Sequence, residues 1–179
     1  MKKVFYQPKD GWIGDTIPFA HDGKYYIFYL HDKRNGNSED EYGYRTGWNL
    51  LVTKDGVNIT DYGEVLPVGE YDEADYACYT GSVVEGKDGK FHIFYTAQNN
   101  YNPGYHKEGR PLQFIAHAVS DDLIHWVKIP EDTFGADESI YEPWDWRDPF
   151  VFYNEEEECY YMLLAARLVG ASEKNGGCV

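Results

Sequence analysis

The feature that most constrains this chain is a strand hairpin that returns about every 66 residues. Asp22-Gly23-Lys24-Tyr25-Tyr26-Ile27-Phe28-Tyr29 is matched by Asp88-Gly89-Lys90-Phe91-His92-Ile93-Phe94-Tyr95 at an offset of 66. Thr53-Lys54-Asp55-Gly56-Val57 is matched by Ser120-Asp121-Asp122-Leu123-Ile124 at an offset of 67. A third copy begins at Phe150-Val151-Phe152, turns through 154–158 and resumes with Tyr160-Tyr161-Met162-Leu163-Leu164, displaced by 69 from the second. Each copy is a short run rich in aromatic and β-branched residues between polar turns, which is strand grammar. No window shows the 3.6-residue apolar period of a long helix. Repeated strand groups without intervening helices fit propeller blades or a stacked solenoid, because one sheet buries its faces only against its neighbours. The expected fold class is therefore all-β, a β-propeller with four strands per blade. A β-sandwich of about seven strands is the rival.

Along the chain, 5–19 reads as coil and turn, with Pro8 and Pro18 limiting helix. Strands are expected at 24–29, 47–53 and 113–120, a short edge strand at 57–59, a long loop at 31–44 and a loop-like tail from Ala171. The repeats run roughly 12–78, 79–146 and 147–179, forming one incomplete domain. At about 66 residues each, 179 residues supply between two and three blades, whereas a ring needs at least about four. The expectation is a fragment or split chain whose uncovered sheet faces call for the rest of the propeller or a second copy.

The net charge of -15, from 31 acidic and 16 basic residues, argues against a nucleic-acid partner and repels anionic membranes. No apolar run approaches the length of a membrane span, and the Met1-Lys2-Lys3 terminus lacks the apolar region of a signal peptide. Cys78, Cys159 and Cys178 are odd in number and widely spaced, which fits free thiols and a cytoplasmic location. The histidines form no compact ligand set, and no cofactor is called for. The acidic runs Asp72-Glu73-Ala74-Asp75 and 155–158 read as solvated turns. The 17 tyrosines and 5 tryptophans suit either sugar binding or simple strand filling.

Two stretches share a tryptophan, then an aspartate, then a proline-marked strand: Trp12-Ile13-Gly14-Asp15-Thr16-Ile17-Pro18 and Trp144-Asp145-Trp146-Arg147-Asp148-Pro149. Asp15 and Asp148 lie 133 residues apart but at corresponding points of the first and third repeats. Radial repetition brings such positions together at a central axis, and converging carboxylates suit glycosidic chemistry. The plainer alternatives are an Asx-turn at Asp15 and an Arg147–Asp148 ion pair locking two blades. The second repeat offers Tyr79-Thr80-Gly81-Ser82 at this point, hydroxyls that either bind sugar or pair backbone groups.

These motifs resemble glycoside hydrolase family 32, the invertase, levanase and inulinase group of five-bladed propellers. The resemblance rests on the Trp12–Pro18 segment preceded by Tyr6-Gln7-Pro8, on Tyr79-Thr80-Gly81-Ser82, on Ser120-Asp121-Asp122-Leu123-Ile124-His125-Trp126 and on Arg147-Asp148-Pro149. It implies a retaining hydrolase of β-fructofuranosides or related furanosides. Asp15 is then the nucleophile and Asp148 the transition-state stabiliser, with Trp12, Tyr79, Thr80, Ser82, Trp146 and Arg147 around the sugar. The family's general acid/base glutamate is expected outside this chain, and Glu173 is not assigned that role. Gly14, Thr16 and Leu30 stand where the family usually has asparagine, proline and glutamine, which puts fructose specificity in question. The alternatives are a non-catalytic carbohydrate-binding or structural module, and an arabinanase-, xylosidase- or mannoside phosphorylase-like enzyme of a related propeller family.

Overall fold

The computed structural model describes residues 6–33, 45–171 and 176–179. Among the described residues every regular element is a strand, apart from single 3-10 turns at Pro103–Tyr105 and Pro130–Asp132. The first sheet is an antiparallel meander of β1 (Trp12–His21), β2 (Lys24–Asp32), β3 (Trp48–Thr53) and β4 (Ile59–Leu66). The chain continues through β5 (Ala77–Glu85), β6 (Phe91–Gln98), a miniature hairpin of β7 (His106–Lys107) and β8 (Arg110–Pro111), then β9 (Gln113–Ser120) and β10 (Val127–Lys128). Of these, β5, β6, β9 and β10 form the second sheet in that spatial order. The third sheet consists of β11 (Tyr141–Asn154), β12 (Cys159–Leu168) and β13 (Gly176–Cys178). β5 touches both β1 and β11, so the leading strands of successive sheets meet along one edge.

Three local expectations change. The stretch expected as coil before Phe19 is mostly β1, and Pro18 pairs opposite Ile27 within it. β1 is an edge strand, so a residue without an N–H is tolerated there. The short edge strand expected at 57–59 lies later and is longer, as β4, with a register shift beside Gly63 at φ 71°. The tail is not all loop, because Gly176–Cys178 adds to β12 as a third strand. The loop expected at 31–44 lies for the most part outside the described residues, as does Glu173.

The recurring sequence signals become recurring local structures. Asp22 (φ 46°) and Gly23 (φ 66°) form the two-residue turn of the β1–β2 hairpin, whose left-handed residues match the strand twist. After β3, Thr53 Oγ1 accepts from the N–H of Asp55 and Gly56, while Asp55 Oδ1 accepts from Val57 and Asn58. After β9, Ser120 Oγ accepts from Asp122 and Leu123, while Asp122 Oδ1 accepts from Ile124 and His125. Gly56 and Leu123 occupy the same left-handed position, at φ 70° and 67°.

The larger core lies between the first two sheets and contains Phe28, Trp48, Leu50, Leu66, Ile93 and Tyr95, all buried. Trp126 meets Phe28 edge-on with centroids 6.0 Å apart, which joins the end of the second repeat to the first sheet. A smaller cluster of Ile115, Trp146, Leu164 and Ala166 joins the second sheet to the third. The positions equivalent to buried Tyr26 and Tyr29 fall in the third sheet at Tyr160 and Leu163, which are 40% and 38% exposed, beside Phe150 at 59%. The run at 72–75 is not simply a solvated turn: Asp75 is buried, 2.6 Å from Lys128 Nζ and 2.7 Å from the Tyr95 hydroxyl.

Candidate active site

The leading strand of each sheet carries a bulge at the same place. Ile13 pairs with His31 and Thr16 with Tyr29, so Gly14 and Asp15 together face Leu30. Cys78 pairs with Ala97 and Gly81 with Tyr95, so Tyr79 and Thr80 face Thr96. Arg147 pairs with Ala165 and Phe150 with Leu163, so Asp148 and Pro149 face Leu164. An extra residue bends a strand and re-aims its side chain. The three bulges are therefore equivalent; Asp15 and Thr80 take the second place in theirs, and Asp148 takes the first place in its own.

The structure brings these three together. Thr80 donates its hydroxyl to Asp15 Oδ2. Asp148 has φ 57°, the left-handed region in which a bulged residue other than glycine is held by its surroundings. Burial pushes its carboxyl upward, Arg147 opposes that shift, and the charge of Asp15 adds to it. The two carboxylates thus sense each other across three blades. Arg147 Nε lies 3.7 Å from Asp148 Oδ2, but its guanidinium hydrogen-bonds Asp145 instead. Asp145 is also 2.6 Å from Arg167 Nε. Its burial favours the neutral acid, yet the two arginines outweigh that and hold it below the usual carboxylate range.

The edge of β11 that faces the second sheet has no strand partner, and side chains take its donors. The N–H of Trp146 reaches Gln113 Oε1 at 3.0 Å, that of Asp148 reaches Thr96 Oγ1 at 2.8 Å, and that of Val151 reaches Ser82 Oγ at 2.9 Å. Ser82, expected beside the sugar, is therefore a buried acceptor between blades. Trp146, expected to shape a subsite, is packed in the smaller core beside Tyr141 at 5.3 Å. Tyr79 packs against the larger core, and its hydroxyl lies 3.4 Å from Asn100 Nδ2. Trp12 lies just before the first bulge and is 56% exposed.

Gly81 is required by close approach, since a Cβ there would lie 2.0 Å from the Phe94 carbonyl oxygen. Gly14 and Leu30, two of the departures in the sequence, face each other, with a Cβ on Gly14 falling 3.1 Å from Leu30 Cβ. The loss of a side chain at 14 thus accompanies an apolar residue at 30. A cleft lined by Asp75, Tyr95, His117 and Lys128 includes neither Asp15 nor Asp148. Among the described residues no group of three or more His, Cys, Asp or Glu side chains is arranged to hold a metal.

Sequence reasoning missed Thr96, which accepts the Asp148 N–H, and Gln113, which docks β11 through the Trp146 N–H; neither belongs to a motif. The repeat offered a signal for the first: Leu30, Thr96 and Leu164 are equivalent at offsets of 66 and 68, and only the middle one has a hydroxyl.

The model for the "Glycosyl hydrolases family 32 N-terminal domain" matches residues 5–175. A levanase of Bacillus subtilis is 28% identical over 188 residues, covering 95% of this chain and 24% of that protein. Sucrose-6-phosphate hydrolase from Lactobacillus gasseri superposes with a TM-score of 0.69 at 21% identity, over 93% of this chain and 30% of that one. Fructan 1-exohydrolase IIa from Cichorium intybus, in complex with 1-kestose, gives a TM-score of 0.69 at 18% identity, over 99% and 32%. These likenesses show the fold, an all-β five-bladed propeller type to which the described sheets contribute two four-stranded blades and a three-stranded one. The chain spans about a quarter of the levanase.

Proposed function

Because the chain belongs to glycoside hydrolase family 32, we propose that the protein carrying it hydrolyses β-fructofuranosides with retention of configuration. The supporting observation is the placement of Asp15 and Asp148 on equivalent bulges, near enough for one charge to raise the other's carboxyl. Asp15 attacks the anomeric carbon and forms a fructosyl-enzyme ester. A second carboxyl group, not assigned to any described residue, protonates the leaving oxygen and then activates water. Asp148 stays beside the sugar and binds its hydroxyls more tightly as positive charge develops on the ring, the state in which added binding lowers the barrier. Thr80 orients the nucleophile through its bond to Asp15 Oδ2, and exposed Trp12 offers an apolar face to the ring. The open face of the third blade, with Phe150 and Leu163, is covered in the working enzyme by a further blade.

The test uses the full-length protein with sucrose, levan and an aryl β-fructofuranoside. Asp15→Ala should lower kcat at least about 10³-fold with folding intact. Azide should restore turnover of the aryl substrate and give an inverted fructosyl azide. An inverted product from the unmodified enzyme, or full activity without Asp15, refutes the assignment.

A further inference from the structure

We propose that Thr96 is a positioning residue that sets both carboxylates at once; the reaction it serves rests on the fructosidase reading above. Thr96 is fully buried on β6, opposite the bulge of β5. Its hydroxyl donates to the Thr80 carbonyl at 3.0 Å and accepts the Asp148 N–H at 2.8 Å. One side of this bond fixes the residue whose own hydroxyl holds Asp15. The other side holds the peptide that keeps Asp148 at φ 57°. A hydroxyl has one donor and can accept simultaneously, so Thr96 satisfies both partners without conflict.

The repeat shows that this hydroxyl is not a packing requirement. Leu30 and Leu164 fill the equivalent places in the other two sheets and are also buried, at 6% and 5% exposure. An apolar side chain therefore suits this position wherever a bulge needs only to be packed. The polar exception occurs in the blade that lies between the two aspartates. Replacing the hydroxyl with a methyl group keeps the volume but leaves an N–H and a carbonyl without a partner, and the bulge of β11 loses its anchor.

The test compares Thr96→Val, Thr96→Ser and Gln113→Leu in the full-length protein. Gln113→Leu removes the neighbouring bond to the Trp146 N–H and controls for simple loss of docking between blades. Thr96→Val should lower kcat about 10- to 100-fold with a smaller change in KM, the scale of a misplaced catalytic group. Thr96→Ser should recover most of that loss, and Gln113→Leu should keep kcat within about threefold. Amide hydrogen exchange at Asp148 supplies a readout independent of turnover: it should quicken in Thr96→Val and return to normal in Thr96→Ser. Equal kcat losses in Thr96→Val and Gln113→Leu, or an Asp148 amide still protected in Thr96→Val, overturn the proposal. If the unmodified protein hydrolyses no fructofuranoside, the fructosidase reading fails, and the exchange result alone then decides whether Thr96 holds Asp148.

Discussion

Leu123 is the place where the cost of backbone conformation and the gain from burial can be separated. It sits at φ 67°, 1% exposed, within the core that joins the first two sheets. Its counterpart in the first repeat is Gly56, at φ 70°, where an added Cβ would meet nothing within 4 Å. A left-handed residue with a Cβ costs about 1–2 kcal/mol, and burying a leucine here outweighs that. Leu123→Ala keeps the strained backbone and loses the side chain, so it should cost about 2–5 kcal/mol. Leu123→Gly loses the same contacts but relieves the strain, against about 0.5–1 kcal/mol of extra chain entropy in the unfolded state. The glycine variant should therefore be as stable as the alanine variant or more so, by up to about 1 kcal/mol, reversing the order seen inside ordinary strands. Urea unfolding of the three proteins, with equal m-values required for comparison, measures this directly. An alanine variant more stable than the glycine variant would refute the argument that strain is stored at this turn.

Other substitutions probe the site and its supports. Asp148→Asn should abolish hydrolysis yet leave the fold slightly more stable at neutral pH. A carboxyl raised in the folded state binds protons there more readily than in the unfolded chain, so its contribution falls as pH rises from the unfolded value through the folded one. With that side chain 45% exposed, solvent screening keeps the gain below about 1 kcal/mol, visible as a small rise in Tm at pH 7 but not at pH 3. Asp55 behaves oppositely. The N–H groups of Asn58 and Val57 lower its carboxyl from 3.8 to about 2, so its contribution is present above pH 3.8 and lost as pH falls through 2. The difference in Tm between the protein and Asp55→Asn should vanish over that window, and a constant difference would contradict the assignment. Gly81→Ala places a methyl group against the backbone of β6 and should cost about 3 kcal/mol or more, read as a fall in the urea midpoint.

The sequence by itself determined the repeat, and with it the strand composition and the correspondence of the segments that carry Asp15, Thr80 and Asp148. Such signals are local: an Asp-Gly turn, an alternating aromatic run and a Ser-x-Asp turn each express their geometry within a few residues. That is why 24–29 and 113–120 read correctly as strands, whereas β1 did not. Pro18 argues against a strand unless it is known that its edge is unpaired, and only the assembled sheet supplies that fact. The roles of individual side chains were decided later still. Ser82 and Trp146 look like ligand-facing groups in their motifs, but β11 settles against the second sheet and claims one as a hydrogen-bond acceptor and the other as core. Thr96 belongs to no motif, and its importance appears only when a bulge from its own sheet and one from the next blade both reach its hydroxyl. Which polar group serves a ligand and which serves the backbone depends on unpaired donors 52 to 69 residues away, and chain separation of that kind leaves no local trace.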